Sequence, residues 1–109
     1  MQRVATLMVV KEGMEEAYRE RHRKVWPEVQ AGIERAGIRN YSIFMHGRQL
    51  FSYFEVEDLA QAMAIIGADP VNQAWQEYMA PLMDVSAGIR DGSTVYLEEV
   101  FHLGSGGER

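Results

Sequence analysis

The sequence predicts an α+β fold built on one antiparallel sheet, and three observations predict it. The chain opens with a β-branched apolar run, followed by a long segment of helical periodicity. Two strand-like segments then flank a short glycine turn, which is typical of a β-hairpin. More helical periodicity precedes a last strand-like segment. With 109 residues, the chain is long enough for one domain and too short for two cores.

The first strand and the first helical region are the clearest elements. Residues 3–10 (RVATLMVV) predict a strand that ends at a Lys-Glu-Gly turn signal. Residues 14–36 predict a long helix, because apolar residues recur at intervals of three and four, and Gly37 occupies the place of a C-cap glycine. Pro27 lies inside this helix. It predicts either a kink, since proline has no N–H to donate, or the first residue of a second helix.

The hairpin segments are apolar on both faces. Residues 39–46 and 49–56 predict two strands around a Gly-Arg turn. A sheet with one solvated face should alternate apolar and polar residues, yet Phe44, Phe51 and Tyr53 lie on the face opposite the other apolar side chains. We expect a ligand, a second subunit or both to cover that face, and a homodimer packed sheet against sheet is the preferred interpretation.

The second half of the chain completes the pattern. Residues 58–67 predict a short helix with Asp58 as its N-cap. A third helix begins after Ala-Asp-Pro and is expected to reach about Met83. Residues 84–93 predict a loop and residues 94–103 the last strand.

This order of elements is that of the ferredoxin-like βαββαβ unit, an antiparallel four-stranded sheet with helices on one face. Residues 1–103 are therefore predicted to form a single domain, and residues 104–109 (GSGGER) a flexible C-terminal tail.

Composition excludes several classes of function. The net charge is −5 and the densest basic run, residues 19–24, lies among glutamates, so a nucleic-acid partner is disfavoured and a solvated helix face is expected. The chain has no cysteine, which excludes disulfides and thiol chemistry. His46 and His102 lack companions at metal-ligand spacing, so no metal site is expected. No apolar run approaches the ~20 residues of a membrane span and the N-terminus lacks signal-peptide features, so a cytoplasmic protein without membrane contact is expected.

One stripe of the long helix carries side chains suited to chemistry. Tyr18, His22 and Trp26 follow one another at intervals of four and share a slowly turning face. An imidazole with an ordinary pKa of about 6.5 can give or take a proton near neutral pH. Further on, Asn40 and Tyr41, and Trp75, Gln76 and Tyr78, combine aromatic rings with amide and hydroxyl groups. Such a set suits a small polyol, although plain packing explains Tyr41 and Trp75 equally well.

Taken together, the segments YRERHRKVWPE, NYSIF, LFSYFE, WQEYM and EVFHL make the chain resemble the L-rhamnose mutarotase family over residues 3–103. The resemblance implies a cofactor-free epimerase that interconverts the α and β anomers of L-rhamnose, folded as a dimeric α+β barrel in the cytoplasm. It also implies His22 as the proton donor and Tyr18, Tyr41 and Trp75 as sugar-binding residues. The family often has a second tryptophan where this chain has Gln76, so Gln76 is predicted to contact the sugar through its amide.

The reaction that the resemblance implies requires few catalytic groups. A mutarotase opens a hemiacetal and closes it on the other face, for which one residue that moves a proton near pH 7 suffices. Tyr18 is not expected to be the base, because a phenol with a pKa near 10 stays neutral. Aliphatic side chains around Met79 or Met83 would accommodate the methyl group of a 6-deoxy sugar. Two alternatives remain: a haem-degrading monooxygenase-like dimeric barrel, and a non-catalytic small-ligand-binding dimerisation module.

Overall fold

The computed structural model describes residues 1–84 and 95–104, which form one four-stranded antiparallel sheet with helices on one face. The strands lie in the order β2-β3-β1-β4, which confirms the ferredoxin-like α+β prediction. In chain order the elements are β1 (Gln2–Val9), α1 (Glu15–His22), α2 (Pro27–Arg35), β2 (Arg39–His46), β3 (Gln49–Val56), α3 (Leu59–Ala68), α4 (Pro70–Met79), a 3₁₀ turn (Ala80–Leu82) and β4 (Val95–Leu97).

The predicted long helix is two helices. α1 ends at His22, and α2 begins at Pro27, which lies in the first turn of that helix. Trp26, just before the proline, is extended, with φ −59° and ψ 133°. Proline disfavours the helical conformation of the residue before it, so a continuous helix over 14–36 was wrong, and the alternative of a second helix starting at Pro27 is confirmed. Gly37 has a φ of +88° and ends the helical region as predicted.

The hairpin strands have the predicted bounds, and the helices that follow differ only at their ends. Asp58 caps α3, accepting a hydrogen bond from the N–H of Gln61 over 3.0 Å. The third helix was predicted to reach about Met83, but α4 ends at Met79 and a 3₁₀ turn follows. Pro81 explains the change, because it has no N–H with which to continue the α-helical ladder.

The last strand is shorter than predicted. Of the described residues in the predicted strand 94–103, only Val95–Leu97 pairs with β1. Beyond it the side chains of Val100, Phe101 and Leu103 are 78 to 86% exposed, so among the described residues no packing holds this segment against the sheet. An ion pair between Arg3 and Glu99, at 2.9 Å, continues the register after the ladder has ended. The predicted loop and tail lie outside the described residues, except for Asp84 and Gly104.

The two faces of the sheet have different surroundings. The helix-facing side carries two hydrophobic clusters, one including Val10 and Leu50 and the other including Val4 and Phe54. On the opposite face Phe44, Phe51 and Leu97 are 63, 37 and 39% exposed. No described element covers this apolar face, so a covering subunit stays a prediction.

Arg19, Arg23 and Lys24 of the basic run are exposed, as expected, whereas Arg21 lies over the Tyr78 ring. Arg19 and Arg23 pair with Glu16, and Arg23 and Lys24 pair with Glu20. These are exposed ion pairs that contribute little stability each. Within residues 1–84 and 95–104, no helix has the length and apolarity to cross a bilayer.

Candidate active site

The end of α1 places an imidazole against a phenol. Tyr18 and His22 are one turn apart on the same face, and their rings stack with centroids 4.1 Å apart at 22°. Tyr18 is buried, whereas His22 is half-buried. The Nδ1 atom of His22 lies 3.2 Å from the carbonyl oxygen of Tyr18. The helix ends at His22, so this side chain stands at the break between α1 and α2.

The contact with the carbonyl fixes the state of the imidazole. A carbonyl oxygen only accepts hydrogen bonds, so Nδ1 carries the proton in the neutral ring and Nε2 keeps its lone pair. Burial lowers the pKa of His22, and the hydrogen bond to the Tyr18 carbonyl opposes that shift only in part. The ring is therefore neutral at pH 7, and Nε2 is a free base. Burial, with a smaller contribution from Tyr41, raises the pKa of Tyr18 above its usual range, so this phenol is neutral too.

Trp75 forms the wall beside the imidazole. Asp69 caps α4 by accepting the N–H of Val71 over 2.9 Å, and the helix then carries Trp75 into the core. The indole of Trp75 meets His22 edge-on, with centroids 5.7 Å apart at 77°. It also meets the indole of Trp26 at 5.0 Å and 78°.

Trp26 is a site neighbour that the predicted set omitted. Its ring stacks on Tyr78 with centroids 5.5 Å apart, and the guanidinium of Arg21 lies 4.0 Å from the centroid of the Tyr78 ring. The sequence carried a signal for it, since Trp26 continues the four-residue spacing of Tyr18 and His22. The tertiary contact with Trp75, however, could be seen only in the fold.

Tyr41 is presented by a bulge in β2. The register pairs Arg39 with Glu55 and Ser42 with Tyr53, so two residues of β2 oppose one of β3. Tyr41 is one of the two. Its ring meets that of Phe54 at 5.6 Å and 66°, and burial raises the pKa of its phenol although 45% of the residue is exposed.

Two adjoining cavities lie between the helices and the sheet. The outer cavity, of about 870 Å³, opens beside α2 and β2, and the inner cavity, of about 410 Å³, reaches the middle of the sheet. His22, Tyr41 and Trp75 line both cavities. Tyr18 and Gln76 line only the inner one, and Gln76 is otherwise exposed. All five predicted site residues therefore border one connected space.

The lining of this space includes the expected methionines and excludes the other two histidines. The inner cavity is lined by Met79 and Met83, the methionines near which an apolar niche was expected. Neither His46 nor His102 lines either cavity. In the part of the chain that the structure describes, no three His, Asp or Glu side chains are grouped as a metal ion would require.

Comparison with known proteins gives one consistent family. A profile of the L-rhamnose mutarotase family matches residues 3–103. The L-rhamnose mutarotase of Opitutus terrae is 41% identical over 105 residues, covering 94% of this chain and 99% of that protein. The L-rhamnose mutarotase of Listeria monocytogenes is 39% identical with the same coverage, and that of Bacillus subtilis is 34% identical.

A solved structure agrees with the sequence comparison. The crystal structure of an L-rhamnose mutarotase from Formosa agariphila superposes with a TM-score of 0.79 at 28% identity, covering 95% of this chain and 100% of that one. Residues 3–103, which the family profile matches, include every residue that lines the two cavities. The chain therefore belongs to the L-rhamnose mutarotase family.

Proposed function

We propose that this chain is an isomerase that interconverts the α and β anomers of L-rhamnose without a cofactor. One observation carries the proposal: His22 is neutral, is oriented through Nδ1 and has Nε2 free, and it borders the same cavity as Trp75 and Tyr41. Family membership supplies the sugar, since the relatives that match over nearly their whole length are L-rhamnose mutarotases.

The reaction needs only one proton to change places. Nε2 of His22 removes the proton of the anomeric hydroxyl, and the electrons of that O–H bond form the C1 carbonyl as the bond from C1 to the ring oxygen breaks. The imidazolium then gives the proton to the ring oxygen, which becomes a hydroxyl. Rotation about the C1–C2 bond and the reverse sequence close the ring on the other face. His22 is thus the proton donor of each half-reaction and ends it neutral, as it began.

The neighbours of His22 divide the remaining tasks. Tyr18 holds the imidazole by stacking and through its backbone carbonyl, and its neutral hydroxyl is available to a sugar oxygen. Trp75 and Tyr41 offer ring faces to the C–H surfaces of the pyranose. Gln76 contributes its amide from the rim of the inner cavity.

The active form is proposed to be a homodimer in the cytoplasm. A second copy packed on the open sheet face would cover Phe44, Phe51 and Leu97, which one chain leaves partly exposed. An exposed apolar patch of this kind is typical of an interface.

Exchange between L-rhamnose anomers, followed by saturation-transfer NMR, tests the activity. The protein should accelerate exchange, and His22→Ala should remove most of the acceleration while its circular dichroism spectrum stays unchanged. Equal acceleration by the variant would remove His22 from its role. A strong Soret shift with hemin and no anomer exchange would favour the haem-degrading alternative, and neither response would favour a binding module.

A further inference from the structure

The inner cavity has a polar floor. Thr6 on β1 and Ser52 on β3 lie opposite each other in the sheet, and their hydroxyl oxygens share a hydrogen bond. Both residues line the cavity that His22 also borders. Thr6 is 5% exposed, and within residues 1–84 and 95–104 it is the only buried residue besides the aromatic Tyr18 and Trp75 whose side chain carries a polar group.

The pair divides the hydrophobic core. Along β3, Leu50 belongs to one cluster and Phe54 to the other, and Ser52 lies between them. Along β1, Thr6 likewise separates Val4 from the cluster that contains Val10. Apolar residues at both positions would extend the contact between the two clusters, which Ile33 already bridges. Packing therefore does not require hydroxyls here, and burying them has a desolvation cost.

Hydroxyl chemistry leaves the pair with spare capacity. Two hydroxyls have two O–H groups, and the bond between them uses one, so one donor and several acceptor lone pairs remain. A sugar hydroxyl both donates and accepts hydrogen bonds. One such hydroxyl can therefore pair with the remaining O–H donor and with an acceptor lone pair of Thr6 and Ser52 at the same time. We infer that Thr6 and Ser52 form a subsite for one ring hydroxyl of the pyranose other than the anomeric hydroxyl.

The position of the subsite determines its effect on the reaction. The inference rests on the proposed function, in which the anomeric hydroxyl and the ring oxygen face His22 at the end of α1. A hydroxyl bound on the sheet lies away from the breaking bond, so its contact is equally strong in the ground state and the transition state. Such a contact lowers KM and leaves kcat unchanged.

The experiment combines Thr6→Val with Ser52→Ala, which removes both hydroxyls and leaves neither without its partner. Anomer exchange is measured by saturation-transfer NMR on L-rhamnose and on its 2-, 3- and 4-deoxy derivatives. In the double variant we expect KM for L-rhamnose to rise roughly 5-fold at constant kcat. For the wild type, KM for one deoxy derivative should exceed KM for L-rhamnose by a similar factor. The double variant should have the same KM for that derivative and for L-rhamnose.

The control is Ser42→Ala, which removes an exposed hydroxyl from the opposite face of the sheet, beside Tyr53. It should keep the wild-type discrimination. If the double variant changes only the unfolding midpoint and discriminates among the sugars as the wild type does, the pair is structural and the subsite is refuted. If the wild type accelerates no exchange, the proposed function itself fails, and the subsite fails with it.

Discussion

Asn40 donates a hydrogen bond from Nδ2 to Oε1 of Glu55 over 2.7 Å, from a backbone whose φ is +53°. The hydroxyl of Tyr53 donates to the other oxygen of the same carboxylate, also over 2.7 Å. Asn40 is the residue of the β2 bulge that precedes Tyr41. Among the described residues no other non-glycine has a positive φ. The carboxylate thus fixes the bulge that turns the Tyr41 ring toward the cavities.

This relationship predicts different effects for two substitutions at Asn40. Asn40→Ala loses the hydrogen bond and places a Cβ in the left-handed region, so the free energy of unfolding should fall by about 1–3 kcal/mol. Asn40→Gly loses the same hydrogen bond but keeps the conformation, so its loss should be smaller. Urea unfolding measures both. KM for L-rhamnose should rise in Asn40→Ala and recover in Asn40→Gly, and equal KM values in the two variants would refute the link between the bulge and Tyr41.

The pH dependence of activity should follow His22. Burial lowers the pKa of this imidazole, and the proposed reaction begins with its neutral form. We expect kcat/KM to be constant between pH 8 and about 6.5, the ordinary pKa of histidine. At lower pH kcat/KM should decrease, with a midpoint under that ordinary pKa. A chemical-shift titration of the His22 ring should give the same midpoint. A midpoint above the ordinary value would contradict a buried, neutral base.

The same shift makes a separate prediction for stability. Between the folded pKa and about 6.5, the unfolded chain binds more protons at this position than the folded chain does. The free energy of unfolding should therefore decrease as the pH falls through that window, with the full loss present below the folded pKa. The lowered carboxyl pKa values of Glu20, Glu55 and Glu99 act only in more acidic solution, where their stabilisation is lost. Thermal melts of wild type and His22→Gln from pH 7.5 to 5.5 test this, and the variant should lack the slope.

A double-mutant cycle can measure how Trp26 acts on Trp75. The two indoles meet edge-on at 5.0 Å, so Trp26→Leu removes a contact worth about 0.5–1.5 kcal/mol and loosens the cavity wall. Trp75→Ala alone should weaken sugar binding by about 1–3 kcal/mol. If Trp26 acts through Trp75, its substitution should have little further effect on KM in the Trp75→Ala background. Additive effects would mean that Trp26 acts on KM independently of Trp75.

Local patterns predicted the elements, and tertiary contacts determined the rest. The two apolar, strand-like segments around the Gly-Arg turn and the cap at Asp58 depend on neighbouring residues alone, and the hairpin bounds and α3 followed from them. Pro27 was recognised as a breaker, but its consequence, an extended Trp26 pointing toward Trp75, depends on where α4 lies. Thr6 looked like an ordinary strand residue, because its meaning comes from Ser52, which is 46 residues away.

A single charged substitution on the open sheet face tests the proposed homodimer. Phe51 lies between Phe44 and Leu7 in the ladder, at the centre of the apolar face, and is 37% exposed. At micromolar protein concentration, Phe51→Glu should convert the dimer into a monomer, because a carboxylate buried in a sheet-to-sheet interface would lack a partner. Ile65→Glu is the matched control, since Ile65 is 40% exposed on α3 and away from that face. Sedimentation velocity should show a dimer for the wild type and the control. A wild type that sediments as a monomer at micromolar concentration would refute the proposed homodimer.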